Sequence, residues 1–354
     1  MRLAFVATLL VLTGCRSLGY YAHVAHGQAA LLSERRPIAK VIADPKTPAA
    51  TRDRLVLASE ARRFASANLG LPDNRSYTYY VALDRPWVAW NVFATPELSV
   101  APVTHCFPVA GCVAYRGYFR RDLADREAMR EAALGHDVSI GEVPAYSTLG
   151  WFADPLLSSM MRWDDDELAG TIFHELAHQK LYVKDDSSFN ESFATFVERE
   201  GLREWRQSRH LSPPDERGDR LTRSFTSQVL ALRDRLQAIY AEDRSDDAKR
   251  VAKAEAFEDF RGRYLDWRDG EAGGDHRYDR WMSRPLNNAR LLPFGLYDTW
   301  ADAFGVVFAQ SGGRWDAFYE RVRVLAEMPP AERERELARL GGSQPAGDGS
   351  SRRD

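Results

Sequence analysis

The segment GTIFHELAHQKLYVKDDSSFNESFATF, residues 170–196, constrains the fold of this 354-residue chain more than any other stretch. Two apolar patterns of helical period flank the polar turn KDDSS. The first helix is predicted to begin at Asp164, because Asp164 and Glu167 form a capping-box pattern, and to end near Tyr182 and Val183. The second is predicted to begin at about Phe189 and to end at Gly201. The sequence therefore predicts a helical hairpin in which the second helix runs back along the first.

Two histidines lie on one face of the first helix. His174 and His178 are four residues apart, so their rings stack closely enough to share one ion at about 2.0–2.1 Å from each nitrogen. Glu175 points about 100° away around the helix, where it can take a proton from water without binding the ion. This HExxH pattern is the zinc-peptidase signature. It predicts a metal site with Glu175 as the general base; the alternative is a surface helix with two unrelated histidines.

A site with two histidines needs a third protein ligand and one position open for water. Glu191 is the candidate, because the hairpin brings the opening turn of the second helix toward His174 and His178. Glu191 also completes a capping-box pattern with Ser188, so a structural role stays open. Glu198 shares the face of Glu191 and is the alternative ligand, or a partner that orients a histidine. The cofactor prediction is one Zn²⁺ on His174, His178 and Glu191.

The first fifteen residues, MRLAFVATLLVLTGC, predict a bacterial secretory signal. Arg2 precedes an apolar run that is too short for a permanent membrane span, and small residues then lead to Cys15. The ending LTGC resembles a lipobox, so we expect residues 1–14 to be removed and Cys15 to carry a lipid. A plain signal peptide is the alternative. The expected location is the periplasm-facing envelope, anchored in the outer membrane because residue 16 is Arg and not Asp.

Two further cysteines, Cys106 and Cys112, lie close together in HCFPVAGCVAY. In an oxidising envelope this pair predicts a local disulfide. Closing so short a loop stabilises a fold by about 2 kcal/mol in the loop-entropy picture. The alternative is a Cys/His metal site with His105, which needs more nearby ligands than this segment supplies.

The remaining patterns predict an α+β fold. Helical periods and runs of aromatic or β-branched residues alternate before Pro155, and helices dominate after it. The predicted helical segments are 28–69, interrupted by the turn ADPKTPAAT, 121–134, 226–268, which is predicted to be a helix pair, and 297–326. The predicted strands or extended segments are 77–81, 87–93, 113–115 and 138–152. We therefore expect a small mixed or antiparallel sheet flanked by helices, with the HExxH helix at the centre.

One zinc-peptidase-like domain is expected over residues 15–340. Its α/β part spans 15–155 and its mainly helical part spans 156–340. The tail 341–354 is poor in apolar residues and is predicted to be disordered. The formal charge of −3 is small and acids and bases are mixed, so no basic stripe predicts a nucleic-acid partner.

The motifs resemble a known family. HELAH followed by NESFA is similar to the gluzincin zinc peptidases, although the gap from His178 to Glu191 is shorter than in thermolysin-like enzymes. More closely, the chain resembles bacterial lipoproteins grouped as predicted zinc aminopeptidases. The segments that carry this resemblance are GCRSLGYY, CFPVAGCVAYRGYF, VPAYSTLGWFADP, HELAHQKLYV, FNESFATFVE and PLNNARLLPFGLY.

The resemblance implies site roles for the matched residues. It implies that Zn²⁺ binds the two histidines and Glu191, that Glu175 is the base, and that Tyr297 lies near the oxyanion. Spacing alone does not choose Tyr297 over Tyr182 or Tyr278. The resemblance also implies that VPAYSTLGWF is an edge strand along the cleft, to which a peptide adds as a further strand. The alternative is that Tyr146, Leu149 and Trp151 are simply core residues.

The predicted function is zinc-dependent hydrolysis of peptide bonds, and the predicted type of peptidase is an aminopeptidase. The predicted partners are a peptide substrate and, through the lipid, the membrane. An aminopeptidase needs a carboxylate that binds the free α-amino group, for which Glu142 and Asp154 are candidates. The alternatives are an envelope endopeptidase with an open groove and a non-catalytic lipoprotein stabilised by its metal.

Overall fold

The computed structural model describes residues 2–107, 111–145, 147–294 and 300–342, with the main chain alone for residues 2–17 and 216. The helices of this part are α1 (Arg2–Ser33), α2 (Ile38–Ala43), α3 (Ala49–Ala67), α4 (Arg121–Ala133), α5 (Asp165–Lys180), α6 (Ser187–Ser208), α7 (Glu216–Ala241), α8 (Asp246–Asp269), α9 (Asp279–Met282), α10 (Asn288–Leu291), α11 (Ala301–Gln310), α12 (Trp315–Glu327) and α13 (Pro330–Leu340). A 3₁₀ helix spans Ser158–Arg162.

The strands form small sheets, which confirms the predicted α+β class. They are β1 (Arg36–Pro37), β2 (Tyr79–Val81), β3 (Ala89–Pro96), β4 (His105–Phe107), β5 (Gly111–Val113), β6 (Tyr115–Tyr118), β7 (His136–Val143) and β8 (Leu156–Leu157). One sheet has the order β6-β3-β7 and is antiparallel. A second has the order β1-β2-β8, in which β2 and β8 are parallel, and β4 pairs with β5 as a hairpin.

The central strand β3 is buried on both faces. Trp90 and Val92 pack with Tyr118 of β6 and with α4, while Phe93 packs on the opposite face with Leu292, just after α10. Alternate residues of a strand point to opposite faces, so this strand separates two layers of helices. The β6-β3-β7 sheet is therefore covered by α4 on one side and by the α10 region on the other.

The main hydrophobic core holds the helical hairpin α5–α6 in place. Phe173 of α5 and Phe193 of α6 are fully buried, and the Phe193 ring lies 5.7 Å from that of Phe304 on α11. Each large apolar side chain buried in this way contributes about 1.5–3 kcal/mol. Because α5 and α6 turn these residues inward, their polar residues are left on the remaining faces.

A second apolar cluster joins α7 and α8, which confirms the predicted helix pair. Its centre is Phe225, which packs against Phe260 and Tyr264 of α8 and stacks on Tyr278 with ring centroids 3.7 Å apart. The helix α7 begins at Glu216, ten residues earlier than the predicted start at 226, because the Asp215 side chain accepts a hydrogen bond from the Arg217 N–H and caps it.

The second helix of the hairpin differs from its predicted bounds. It begins at Ser187 and not at Phe189, because Asp186 is its N-cap and accepts from the Phe189 N–H at 3.0 Å. It continues past Gly201 to Ser208. A side-chain carbon at Gly201 would lie 2.6 Å from Leu69 Cδ1, so this glycine permits close packing and does not end the helix.

The predicted extended segment 138–152 is wrong beyond Val143. Pro144, which lacks an N–H for strand pairing, follows the last residue of β7. Leu149 and Gly150 then adopt left-handed conformations with φ of 55° and 82°, which makes a turn. The strand β7 does lie at an edge of its sheet, but VPAYSTLGWF does not continue it, and Tyr146 lies outside the described residues.

The predicted terminal features fall largely outside this description. The main chain around Cys15 is helical within α1, but its side chain is not among those described. The predicted disordered tail is described only at Gly341 and Gly342. Within the part of the chain that the structure describes, no helix has the length and apolar character needed to cross a membrane.

Candidate metal centre

The turn between α5 and α6 is fixed by polar side chains. Asn190 is 1 % exposed, and its amide group bonds both the N–H and the carbonyl of Val183 at 2.7 Å each. Asp186, the cap of α6, also accepts from the buried Arg333 guanidinium at 2.7 and 2.9 Å. Asn190 directly precedes Glu191, so these contacts determine where the Glu191 side chain begins.

The hairpin brings together the three predicted metal ligands. The Nε2 atoms of His174 and His178 are 3.2 Å apart. The Oε2 atom of Glu191 lies 3.3 Å from His174 Nε2 and 3.7 Å from His178 Nε2. The predicted start of the first helix is also confirmed, because the Asp164 side chain accepts from the Glu167 N–H at 2.8 Å.

These distances fit a metal ion. Donor atoms that each lie about 2.0–2.2 Å from zinc at tetrahedral angles are about 3.3–3.6 Å from one another. The separations among His174, His178 and Glu191 run from 3.2 to 3.7 Å. Two imidazole nitrogens and a carboxylate oxygen are also donors that Zn²⁺ prefers. The residues present therefore fit the ion that the sequence predicts.

Glu198 orients one of the histidines and is not a member of the ligand cluster. Its Oε2 atom lies 2.9 Å from His174 Nδ1. Since a carboxylate only accepts, Nδ1 carries a proton, so a neutral His174 ring has its Nε2 lone pair free for a cation. Gly170 allows this approach, because a side-chain carbon there would lie 3.1 Å from Glu198 Oε1. The His178 Nδ1 atom has no hydrogen-bond partner among the described residues.

Charges at the site are strongly coupled. Burial alone would raise the pKa of Glu191, but hydrogen bonds from His174 and His178 hold it at about 2. Burial also opposes protonation of His174, yet hydrogen bonds to Glu191 and Glu198 raise the pKa of that ring well above its ordinary value. Without a cation the ligand set therefore binds a proton, so protons and metal ions compete for the same site.

Glu175 lies beside this cluster. Its side chain is half-buried and makes no hydrogen bond to a described residue. Burial raises the pKa of its carboxyl, and the nearby histidines partly oppose that shift. A carboxylate with a raised pKa and no fixed partner is suited to accept a proton from a water molecule. The predicted role of Glu175 as a base is compatible with this position.

Two further residues were predicted near the cleft, Asp154 and Tyr297. The carboxylate of Asp154 is buried and accepts from Thr148 N at 3.0 Å, Thr148 Oγ1 at 2.7 Å and Ser147 Oγ at 3.3 Å, so it has no free face for an amine. Tyr297, predicted near the oxyanion, lies outside the described residues.

The remaining candidate residues, Glu142, Tyr278 and Tyr182, have different surroundings. Glu142 faces Arg280 and Arg284 at 3.7 Å each. Tyr278 belongs to the α7–α8 cluster, where it stacks on Phe225. Tyr182 lies closer to the ligands. Burial, and then the charge of Glu191, raise the pKa of its phenol, which indicates that Glu191 is near.

Tyr115 of β6 is a neighbour of the site that the sequence patterns do not predict. Burial, followed by the charge of Glu191, raises the pKa of its phenol to about 12, and the charge of Glu175 adds to the shift. These electrostatic contacts place the phenol near the candidate ligands. No local pattern marks it, because its proximity depends on how the β4–β5–β6 region meets the hairpin.

The disulfide hairpin, formed by β4 and β5, contacts the turn between α5 and α6. Cys106 and Cys112 pair across β4 and β5, with their sulfur atoms joined at 2.03 Å. The Cys112 N–H donates to Asp185 Oδ1 at 3.2 Å, in the turn between α5 and α6. Gly111 has a φ of 74°, and a side chain there would overlap Asp185. The disulfide hairpin therefore rests on the turn that leads to Glu191.

A family model described as "Putative aminopeptidase" matches residues 19–337. No curated protein and no solved structure matches the chain. The matched range contains the whole α5–α6 hairpin with its metal-ligand cluster. Since the match covers most of its length, the chain belongs to the "Putative aminopeptidase" family.

Proposed function

We propose that this protein is a zinc-dependent aminopeptidase of the bacterial cell envelope. The observation that carries the proposal is the convergence of His174, His178 and Glu191, with Glu175 beside them. Family membership supports a peptidase function. The proposed anchoring through a lipid on Cys15, with the protein facing the periplasm, rests on the N-terminal sequence alone.

The proposed chemistry divides between the ion and the chain. When bound, zinc supplies Lewis-acid polarisation of the scissile carbonyl and lowers the pKa of water to about 7. Glu175 accepts a proton from water and passes it to the leaving amine. Glu198 keeps the His174 ring oriented through its Nδ1 contact. Tyr297 is the proposed donor to the developing oxyanion, a role typically worth about 3 kcal/mol.

An endopeptidase is the second candidate, and one observation favours it. The carboxylates predicted to bind a free α-amino group are already engaged, since Asp154 bonds its own loop and Glu142 faces two arginines. An enzyme with no free carboxylate at the cleft accepts blocked peptides as readily as free ones. Comparing the cleavage of free and N-acetylated peptides by the wild type therefore separates the two activities.

The test of the hydrolase uses Glu175→Gln in the full-length protein. We expect the variant to keep one equivalent of zinc and to lose about 10²–10⁴-fold in kcat, because the base is removed and the ligands stay. The measurements are metal analysis of the purified protein and digestion of a peptide library. Glu200→Gln is the matched control: Glu200 is on α6 and pairs with Arg203, away from the cluster.

Two outcomes would contradict the proposal. If the wild type binds zinc but cleaves no peptide, and Glu175→Gln has the same properties as the wild type, the non-catalytic, metal-stabilised lipoprotein is favoured. Loss of zinc in Glu175→Gln would show that Glu175 is a ligand and not the base.

A further inference from the structure

Two large aromatic side chains are exposed side by side after β7. Trp151 is 70 % exposed and Phe152 is 48 % exposed, whereas most large apolar side chains of the described residues are buried. Single exposed apolar residues are common on protein surfaces, but adjacent exposed aromatic residues on one loop mark a contact surface. We call residues 147–154 the aromatic turn.

Internal hydrogen bonds fix the backbone of the aromatic turn. The buried Asp154 carboxylate bonds Thr148 and Ser147, the Leu149 N–H donates to Ser147 Oγ at 3.1 Å, and the Phe152 N–H donates to Thr148 Oγ1 at 3.1 Å. Outside contacts hold its end, since the Tyr77 N–H donates to the Asp154 carbonyl at 2.7 Å. The backbone that presents the two rings is therefore preformed, which lowers the cost of ordering the turn on binding.

The aromatic turn lies beside the helix that carries the candidate site. A side-chain carbon at Gly150 would be 3.4 Å from Gln179 Oε1 on α5. Gln179 follows His178 directly and is four residues beyond Glu175, so Gln179 and Glu175 share one face of the helix.

The position argues for a peptide contact over a membrane contact. Arg35, just beyond the C-terminal end of α1, donates to the Ala153 carbonyl at 3.0 Å. Removal of residues 1–14 would make Cys15, the residue predicted to carry the lipid, the first residue of the chain, and the helical stretch from Leu18 to Ser33 alone measures about 22 Å at 1.5 Å per residue. The aromatic turn is therefore at the end of α1 that is remote from the predicted anchor.

We propose that Trp151 and Phe152 form an apolar subsite for a substrate side chain next to the scissile bond. The preferred substrates are then peptides with a large aliphatic or aromatic residue at that position. This inference rests on the proposed peptidase function and deepens it. Removing apolar contact of this size changes discrimination between large and small side chains by about 10–200-fold.

The test compares two variants of the full-length protein. In W151A/F152A we expect the ratio of kcat/KM for leucine over alanine peptides to fall about tenfold, with the alanine peptide changed less than about twofold. In the control M129A/L134A, which removes two side chains of the α4 region that are 64 % exposed each, we expect the ratio to stay at its wild-type value. An unchanged ratio in W151A/F152A, or an equal loss for both peptides, would overturn the inference.

A binding readout separates this inference from the hydrolase proposal. Kd values for fluorescent leucine and alanine peptides are measured in the Glu175→Gln background with and without W151A/F152A. A leucine preference that disappears in the aromatic variant supports the subsite even if the wild type cleaves nothing, in which case only the proposed function fails. In proteoliposomes, quenching of tryptophan emission by brominated acyl chains that is lost in W151A would identify a membrane contact and overturn the subsite.

Discussion

At the scale of single residues, the candidate site depends on which atom of His174 carries the proton. The 2.9 Å contact from Nδ1 to Glu198 assigns the proton to Nδ1 and leaves the Nε2 lone pair for a cation. This contact is a consequence of Gly170, whose missing side chain gives Glu198 room against α5.

Glu198→Gln tests this arrangement. The amide is a weaker acceptor than the carboxylate, so we expect zinc affinity to fall about 10–100-fold while kcat at saturating zinc changes less. Competition with a chromophoric chelator measures the affinity, with Glu200→Gln as the control. Equal zinc affinity in wild type and Glu198→Gln would show that Glu198 has no orienting role.

A second test at this scale compares two helix glycines, Gly201 and Gly262. An alanine side chain at Gly201 would press on Leu69 at 2.6 Å, whereas nothing lies within 4 Å of the corresponding point at Gly262. We expect Gly201→Ala to lower the free energy of unfolding by about 1–3 kcal/mol and Gly262→Ala to raise it by about 0.5–1 kcal/mol. Urea unfolding of both variants measures the difference, and a stabilised Gly201→Ala protein would refute the packing assignment.

At the scale of elements, the hairpin α5–α6 was predictable and its details were not. The spacing of His174 and His178, followed by a short polar turn and Glu191, places the three groups together through local geometry alone. The N-cap of α6 did not follow from the sequence, because Asp186 and Ser188 are both residue types that cap helices, and Asp186 also binds Arg333, which is far along the chain. Gly201 resembles a helix terminator until its contact with Leu69 is known.

Asp186→Ala and Ser188→Ala separate the two possible caps. Asp186→Ala removes the bond to the Phe189 N–H and leaves the buried Arg333 without its carboxylate, so we expect a loss of about 3 kcal/mol or more. Ser188→Ala should stay within about 0.5 kcal/mol of wild type, as is usual for a surface substitution. Thermal unfolding measures both changes. Should the two variants lose stability equally, the cap assignment is wrong.

At the scale of the whole molecule, the two largest apolar clusters of the described residues involve different helices. One contains α5 and α6 with the candidate ligands, and the other joins α7 and α8. The α+β class and the helix pair followed from periodicity, because both depend on patterns within single elements. The position of Tyr115 near Glu191 could not be predicted, since it depends on the docking of the disulfide hairpin on Asp185, which no local pattern encodes.

Removal of the metal should affect these two clusters differently. Zinc bound to α5 and α6 stabilises the folded state by mass action, about 4 kcal/mol at a thousandfold excess over its Kd. After chelation we expect amide exchange to accelerate in α5 and α6 more than in α7 and α8, because the candidate ligands lie on α5 and α6. Hydrogen exchange read by mass spectrometry reports both pairs at once. Uniform acceleration, or none, would disagree with a metal site in the hairpin.

X-ray absorption at the zinc edge of the full-length protein tests the central claim most directly. The account predicts one zinc per chain with two imidazole nitrogens and a carboxylate oxygen at about 2.0–2.2 Å. It also predicts that Glu191→Ala loses the carboxylate oxygen or the ion. A wild-type protein without stoichiometric zinc, or an unchanged spectrum in Glu191→Ala, would contradict it.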